Sequence, residues 1–190
     1  MASATPPPDT QAPLWSPDRY VQAVSFAAAA HLHQKLPGGE LPYLTHVVCV
    51  AAEVMHALAR EPVADPDLAV LCALLHDTIE DCGVADSTIA ASFGPAVAAG
   101  VRALSKDPGL PKDQAMADSL RRIQQQPREV WLVKLADRIN NLEAPPHYWT
   151  PAKIAAYGAE ARVIADALGA ASPYLLARLR DKIAAYPRGA

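Results

Sequence analysis

Residues 66–83 read PDLAVLCALLHDTIEDCG, and this stretch runs from an apolar segment into a histidine and several acids. Four leucines recur at the spacing of one helix face: Leu68, Leu71, Leu74 and Leu75. This periodicity predicts a buried helix. His76, Asp77, Glu80 and Asp81 follow directly after it. Because burying such groups is costly unless they are paired or bind a metal ion, the stretch predicts a core helix that ends in a polar site.

Composition and helix-start signals extend this prediction to the rest of the chain. The chain has 190 residues, of which 51% are hydrophobic and 6% aromatic, enough apolar material for one core. An alanine-rich, aromatic-poor composition favours helices over strands. Four pairs place a short polar cap before a proline at the first helical position: Ser16-Pro17, Asp65-Pro66, Thr150-Pro151 and Ser172-Pro173. The sequence therefore predicts an all-α fold, a single-domain helical bundle.

The signals also place the helices and the domain boundary. Residues 1–15 contain four prolines and few large apolar groups, so we predict a flexible Pro-rich tail there and one domain over residues 16–190. The helices are predicted near residues 17–35, 43–59, 66–80, 87–93, 95–104, 113–126, 128–143, 151–168 and 173–185.

Charge and cysteine usage restrict the classes of partner. The formal net charge of −3 argues against a general nucleic-acid binder, and no apolar run approaches the roughly 20 residues of a membrane span. The three cysteines form no CxxC pair, which argues against a disulfide scaffold or thiolate zinc site. We expect a cytoplasmic protein that acts on a small molecule. The alanine-rich helix 151–168 is either part of the core or the contact of a homo-oligomer.

Two further segments carry candidate metal ligands. Asp137 lies in the strongly apolar run 130–142, VWLVKLADRINNL, and His46 lies in LPYLTHVV, residues 41–48. Alone, Asp137 could simply pair with Lys134 or Arg138, and His46 could be a hydrogen-bonded core histidine. Together with the His76-Asp77 pair they form a mixed nitrogen and oxygen set. Such a set suits Mn²⁺, Fe²⁺ or Zn²⁺, which would act as a Lewis acid toward a phosphoryl group.

The order of these residues resembles the HD-domain phosphohydrolases. The segments PYLTH, LLHDTIEDCG and VKLADRINNL resemble the three signature segments of the RelA/SpoT-type hydrolase domain. At this length the chain resembles the small alarmone hydrolases, the Mesh1-like group. That resemblance implies Mn²⁺-dependent removal of the 3′-pyrophosphate from guanosine tetra- or pentaphosphate, which yields GDP or GTP and pyrophosphate.

The resemblance also implies roles for individual residues. The expected metal ligands are His46, His76, Asp77 and Asp137. Glu80 and Asp81 match an acidic pair that orients and deprotonates the attacking water, which is reasonable chemistry for carboxylates near a metal. The expected substrate contacts are Lys35, Lys112, Asn141 and Tyr157. Asn141 could instead cap a helix, Tyr157 could be core, and Lys112 could be a solvated loop charge.

One segment departs from the family pattern. Relatives usually carry an Arg/Lys cluster before the PY pair, whereas residues 31–40 read HLHQKLPGGE, with Lys35 alone. Because lysine does not replace the planar stacking face of arginine, base recognition is expected to differ. An adenosine alarmone or NADPH is therefore an alternative substrate, with a base pocket built from His33, Lys35, His147 and Trp149. A non-enzymatic module that binds a nucleotide or a partner protein is the third alternative.

Overall fold

The computed structural model of the chain describes residues 14–187, apart from the side chain of Lys112. Within that range it contains ten α-helices and no strand. The helices are α1 (Pro17–Ala30), α2 (Leu44–Leu58), α3 (Pro66–Leu75), α4 (Thr78–Cys82), α5 (Asp86–Phe93), α6 (Pro95–Leu104), α7 (Lys112–Ile123), α8 (Arg128–Asn141), α9 (Pro151–Leu168) and α10 (Pro173–Ala185). A 3-10 turn, Gly169–Ala171, joins α9 to α10. The predicted all-α helical bundle is confirmed.

The four predicted start signals each begin a helix. Ser16, Asp65, Thr150 and Ser172 are the N-cap residues of α1, α3, α9 and α10. In each case the capping side chain accepts a hydrogen bond from the N–H three residues further on. These caps satisfy backbone donors that have no partner inside a helix, and they fix where the chain turns into each helix.

The core lies between α3 and α8, which contact each other and most of their neighbours. Every residue from Leu68 to Leu75 on α3 is buried. On α8, residues 129–139 are buried with the exception of Trp131. A helix that is surrounded on all sides needs little amphipathic pattern, which explains why α3 is apolar from Leu68 to Leu75. The candidate ligands His76 and Asp137 are therefore attached to the two most deeply packed elements.

The predicted helix 66–80 is divided in two at His76 and Asp77. α3 ends at Leu75 and α4 begins at Thr78. The His76 imidazole lies 2.8 Å from the Ala73 carbonyl, and the Thr78 hydroxyl donates to the Leu75 carbonyl at 2.7 Å. Both side chains thereby engage carbonyls that would otherwise accept helical N–H bonds, so the helix is interrupted. The interruption gives the His-Asp pair a direction that a continuous helix would not provide.

The first predicted helix is also shorter than expected. α1 ends at Ala30 instead of residue 35. Beyond it the chain folds back, and Lys35 pairs with Pro42 in an isolated antiparallel bridge. Gly38 allows this reversal because its φ of 78° lies in the left-handed region. The loop places Leu36 and Pro37 beside α2 rather than extending α1.

The predicted tail lies mostly outside the described residues. Residues 1–13 are not described, whereas the Trp15 ring contacts the Tyr20 ring at 5.3 Å between centroids. The boundary at residue 15 stays a prediction. No helix among residues 14–187 is long and apolar enough to cross a membrane.

Candidate metal centre and substrate cleft

Four side chains converge where α2, α8 and the α3–α4 junction meet. His46 comes from the first turn of α2, His76 and Asp77 from the junction, and Asp137 from α8. The two Nε2 atoms of the histidines are 3.2 Å apart. An oxygen of Asp77 lies 2.9 Å from the His76 Nε2, and an oxygen of Asp137 lies 3.4 Å from the His46 Nε2. The ligand atoms of His46, His76 and Asp77 thus lie within 4.8 Å of one another, and Asp137 lies against the two imidazoles.

The outer nitrogens of both imidazoles are already engaged. His76 Nδ1 faces the Ala73 carbonyl, and His46 Nδ1 faces the side-chain oxygen of Asn140, each at 2.8 Å. Since these oxygens only accept, each Nδ1 carries a hydrogen and each Nε2 is directed at the centre. Two imidazole Nε2 atoms and two carboxylates at this separation require a positive charge between them. A divalent cation with nitrogen and oxygen ligands satisfies that requirement, so the residues present fit a metal ion.

The pKa shifts of the clustered side chains also indicate that the centre requires a positive charge. Burial disfavours a charged imidazole, but Asp77 and Asp137 outweigh it and raise the pKa of His76 well above its usual range. Burial also opposes ionisation of Asp77, yet the charge and hydrogen bond of His76 lower the pKa of that carboxyl to about 2. Both effects mean that the centre stabilises a cation in contact with ionised carboxylates.

Each carboxylate of the cluster has a further donor. The Tyr43 hydroxyl donates to Asp77 at 2.6 Å. The Lys134 ammonium and the Asn141 amide donate to Asp137 at 2.9 and 2.5 Å. Burial of Asp137 is offset mainly by the Lys134 charge, so its pKa stays well below the usual value. These outer contacts fix the direction of the carboxylate oxygens, which is the usual role of residues that surround a metal site.

The acidic pair on α4 follows this centre in the chain, and both of its residues are exposed to solvent. Glu80 and Asp81 follow Asp77 by three and four positions, a spacing that places them on the same side of a helix. The N–H of Lys106 donates to Glu80 at 2.7 Å, and the Gln34 amide donates to Asp81 at 2.8 Å. Partial burial, with nearby carboxylates, raises the pKa of Asp81. A raised carboxyl pKa favours proton acceptance from water.

A cleft of about 360 Å³ opens from His46 toward the surface. Its inner end is formed by His46, Asn140 and Asn141, and its outer end by Leu36, Pro37, Pro146 and Trp149. Tyr157 lines the wall between the two ends. A volume of this size next to a polar centre suits a small phosphorylated molecule.

The aromatic wall of the cleft is supported by two cations. The Arg138 guanidinium lies 4.1 Å from the centre of the Tyr157 ring, and the Lys153 ammonium lies 4.1 Å from the centre of the Trp149 ring. The two aromatic rings meet edge to face, with centroids 5.1 Å apart. Arg138 is buried and paired with Glu160, so it does not pair with Asp137. Of the two ion-pair partners considered for Asp137, only Lys134 contacts it.

Some of the predicted substrate contacts line the cleft and others do not. Asn141 and Tyr157 line the cleft, as does Trp149. Lys35 lies on the loop beside Leu36 and pairs with Glu40 on the surface. The side chain of Lys112 lies outside the described residues. Of the remaining residues in the predicted base pocket, His33 and His147 are exposed.

Sequence reasoning did not single out Tyr43, Asn140, Gln34 or Lys106. Tyr43 and Asn140 both lie inside quoted motifs, three positions before His46 and one before Asn141. Helical spacing from His46 could have indicated Tyr43 as a neighbour. Gln34 and Lys106 come from loops, and their contacts with Asp81 and Glu80 depend on tertiary structure that no local pattern encodes.

Comparisons with known proteins agree with this site. A sequence profile described as an HD domain matches residues 23–169. MESH1 of Danio rerio, named a guanosine-3′,5′-bis(diphosphate) 3′-pyrophosphohydrolase, is 30% identical over 142 residues, which are 72% of this chain and 77% of that protein. A similarly named Vibrio cholerae enzyme is 38% identical over 128 residues, 64% of this chain and 17% of that longer protein.

A solved structure extends the similarity to the whole fold. It is described as a metazoan ortholog of SpoT that hydrolyzes ppGpp, and it superposes with a TM-score of 0.78 at 25% identity. The alignment covers 95% of this chain and 97% of that one. The chain therefore belongs to the HD-domain family, as an enzyme of the phosphohydrolase class. Within that family it is a homologue of the MESH1 proteins, which confirms the resemblance seen in the motifs.

Proposed function

We propose that the chain is a Mn²⁺-dependent 3′-pyrophosphohydrolase of (p)ppGpp-like alarmones, which releases GDP or GTP and pyrophosphate. The observation that carries this proposal is the convergence of His46, His76, Asp77 and Asp137, with the Glu80-Asp81 pair one helical turn beyond Asp77. His46 also lines a nucleotide-sized cleft. The proposal is supported by relatives with that named activity at 30% identity.

The metal would be held by the two imidazole Nε2 atoms and by the Asp77 and Asp137 carboxylates. When bound, a divalent ion supplies Lewis acidity that stabilises charge on the phosphoryl oxygens. Asn140 and the Ala73 carbonyl keep both imidazoles turned toward it. The nitrogen and oxygen ligand set suits Mn²⁺, with Fe²⁺ or Zn²⁺ as alternatives.

The acidic pair would handle the proton of the attacking water. In the reaction, water adds to the phosphorus that carries the nucleoside 3′ oxygen, and the bond between that phosphorus and the 3′ oxygen breaks. Glu80 and Asp81 orient the water and accept one proton, and the leaving 3′ oxygen takes up a proton. Asp81 is suited to the acceptor role because its raised pKa increases its proton affinity.

The cleft would hold the nucleoside. Asn141 and Tyr157 line it within reach of a ribose or base, and Trp149 offers an aromatic edge at the outer end. Base and aromatic side chains stack with little dependence on base identity. Lys35 would contact a phosphate only after leaving Glu40, and Lys112 stays a predicted contact at the phosphate end.

A second candidate function is hydrolysis of another nucleotide, either an adenosine alarmone or the 2′-phosphate of NADPH. Two observations favour it: Lys35 is paired with Glu40, and the outer end of the cleft is aromatic and proline-rich among the described residues. Neither feature selects guanine by hydrogen bonding.

Cytoplasmic location and a homo-oligomer remain predictions. On α9, residues such as Ala161 and Ile164 are buried, and Val163 is 53% exposed.

The test is a turnover assay of the Mn²⁺-loaded protein with ppGpp, the adenosine alarmone and NADPH. Pyrophosphate and orthophosphate are measured in parallel. Pyrophosphate from ppGpp, absent in Asp77→Ala and retained in the surface control Asp86→Ala, is the expected result. Orthophosphate from NADPH alone would favour the second candidate. No turnover of any substrate by protein that binds Mn²⁺ would favour the non-enzymatic module.

A further inference from the structure

Lys106 engages Glu80 through two separate groups. Its backbone N–H donates to one carboxylate oxygen at 2.7 Å, and its ammonium lies 3.4 Å from the other oxygen. The lysine side chain is 44% exposed, so its ammonium also faces solvent. Glu80 is one helical turn from the candidate ligand Asp77, which places the ammonium at the edge of the metal centre.

The backbone of Lys106 is held in place by its neighbour. Ser105 is buried, and its hydroxyl donates to the Val101 carbonyl at 2.8 Å. The Arg122 guanidinium donates to the Ser105 carbonyl at 2.7 Å. These contacts fix the chain where it leaves α6. The flexible part of Lys106 is therefore its side chain, which can exchange partners while the backbone N–H keeps Glu80 in position.

The other described cations near the site form ion pairs with other partners. Lys134 is buried against Asp137, and Arg138 is buried against Glu160. Lys35 is paired on the surface at the outer end of the cleft. Among the described side chains, Lys106 is the solvent-accessible cation whose partner belongs to the acidic pair.

We propose that Lys106 is a catalytic residue that binds the pyrophosphate group. In the free enzyme its ammonium pairs with Glu80. When substrate enters, the ammonium turns to the pyrophosphate oxygens, and one Glu80 oxygen becomes available to the attacking water. This exchange replaces one ion pair by another and needs no proton transfer. The role rests on the proposed function only in that a pyrophosphoryl group is taken to be the group transferred to water.

The test measures binding of inorganic pyrophosphate to the Mn²⁺-loaded protein by calorimetry, with equal free Mn²⁺ in cell and syringe. Loss of a charge-assisted contact is expected to weaken pyrophosphate binding about tenfold in Lys106→Met. Lys106→Arg keeps the charge and should stay within about threefold of wild type. Arg102→Met, which removes a surface cation on α6 that faces Asp86, should bind as wild type.

Mn²⁺ affinity, measured from the spin resonance of the free ion, separates this role from a structural one. We expect Lys106→Met to bind Mn²⁺ as wild type does. Unchanged pyrophosphate affinity in Lys106→Met, or a parallel loss of Mn²⁺ and pyrophosphate affinity, would overturn the proposal. If the methionine variant does not fold, Lys106→Gln provides the same comparison. Because no turnover is needed, the titration decides the role of Lys106 even if ppGpp is not a substrate.

Discussion

The two ends of the cleft are built in different ways. At the inner end, His46 of α2 adjoins the other three candidate metal ligands, which come from α8 and from the α3–α4 junction. Each of the four is held by another protein group. At the outer end, Leu36, Pro37, Pro146 and Trp149 come from two loops. The inner residues are fixed by buried polar contacts, which are costly to break. The positions of the outer residues are set mainly by the turns of these two loops.

This difference separates chemistry from specificity. A buried network tolerates little change, because each missing partner leaves an unsatisfied group. Loops at a cleft mouth can change in sequence while the core is kept. We therefore expect substitutions at the inner end to abolish turnover or stability, and substitutions at the outer end to alter substrate affinity.

The largest effect is expected for His76→Ala. Loss of one imidazole removes a predicted metal ligand and leaves Asp77 and Asp137 facing each other. Turnover with Mn²⁺ should fall by about a thousandfold, because most of the Lewis-acid contribution is lost. The control is His56→Ala, an exposed histidine on α2. Turnover within tenfold of wild type for His76→Ala would exclude this residue from the centre.

Lys134→Met tests whether the inner end depends on its internal cation. Lys134 is buried and lies 2.9 Å from Asp137, so its loss leaves a buried carboxylate uncompensated. The free energy of unfolding should fall by about 3 kcal/mol, as for other broken buried ion pairs. Chemical denaturation with a chelator should show the full loss, and added Mn²⁺ should reduce it by supplying charge to Asp137.

The matched control for that experiment is Lys182→Met. Lys182 pairs with Glu143, whose side chain is 68% exposed. A pair of this kind contributes less than about 1 kcal/mol, so this variant should unfold almost as wild type does. Equal losses in the two lysine variants would contradict the contrast between a buried polar network and a solvated surface.

The sequence predicted the helices and named candidates for the inner end, but it did not predict the loops of the outer end, for physical reasons. Capping residues, helical periodicity and costly buried charges are local signals, so the helices and the His76, Asp77 and Asp137 candidates could be named in advance. The division of helix 66–80 could not, because it depends on His76 and Thr78 engaging backbone carbonyls.

The return of the chain after Ala30 was missed for a related reason. The bridge between Lys35 and Pro42 arises from the pairing of two segments, and periodicity within one segment does not reveal it. The same limit applies to the contacts of Gln34 and Lys106 with the acidic pair. Tertiary contacts between loops must be seen in the structure.

Trp149→Ala should have an intermediate effect, confined to the outer end. If a base stacks near Trp149, its loss should raise KM about tenfold, the usual size of one base–aromatic contact. The kcat should change little, because the inner end is untouched. Tyr148→Ala is the control, since Tyr148 is adjacent to Trp149 in the chain and is 58% exposed. Equal KM values for the two variants would remove Trp149 from the base pocket.

The smallest effect is expected at Lys35, where two variants should act in opposite directions. Lys35→Met removes a predicted phosphate contact, but that lysine must first leave Glu40, so KM should rise only about twofold. Glu40→Gln releases the lysine from its partner, so KM should fall by a similar factor. Steady-state kinetics at low ionic strength would measure both, because salt screens exposed charges. If both variants shift KM in the same direction, Lys35 is only a surface charge and the outer end recognises its substrate without it.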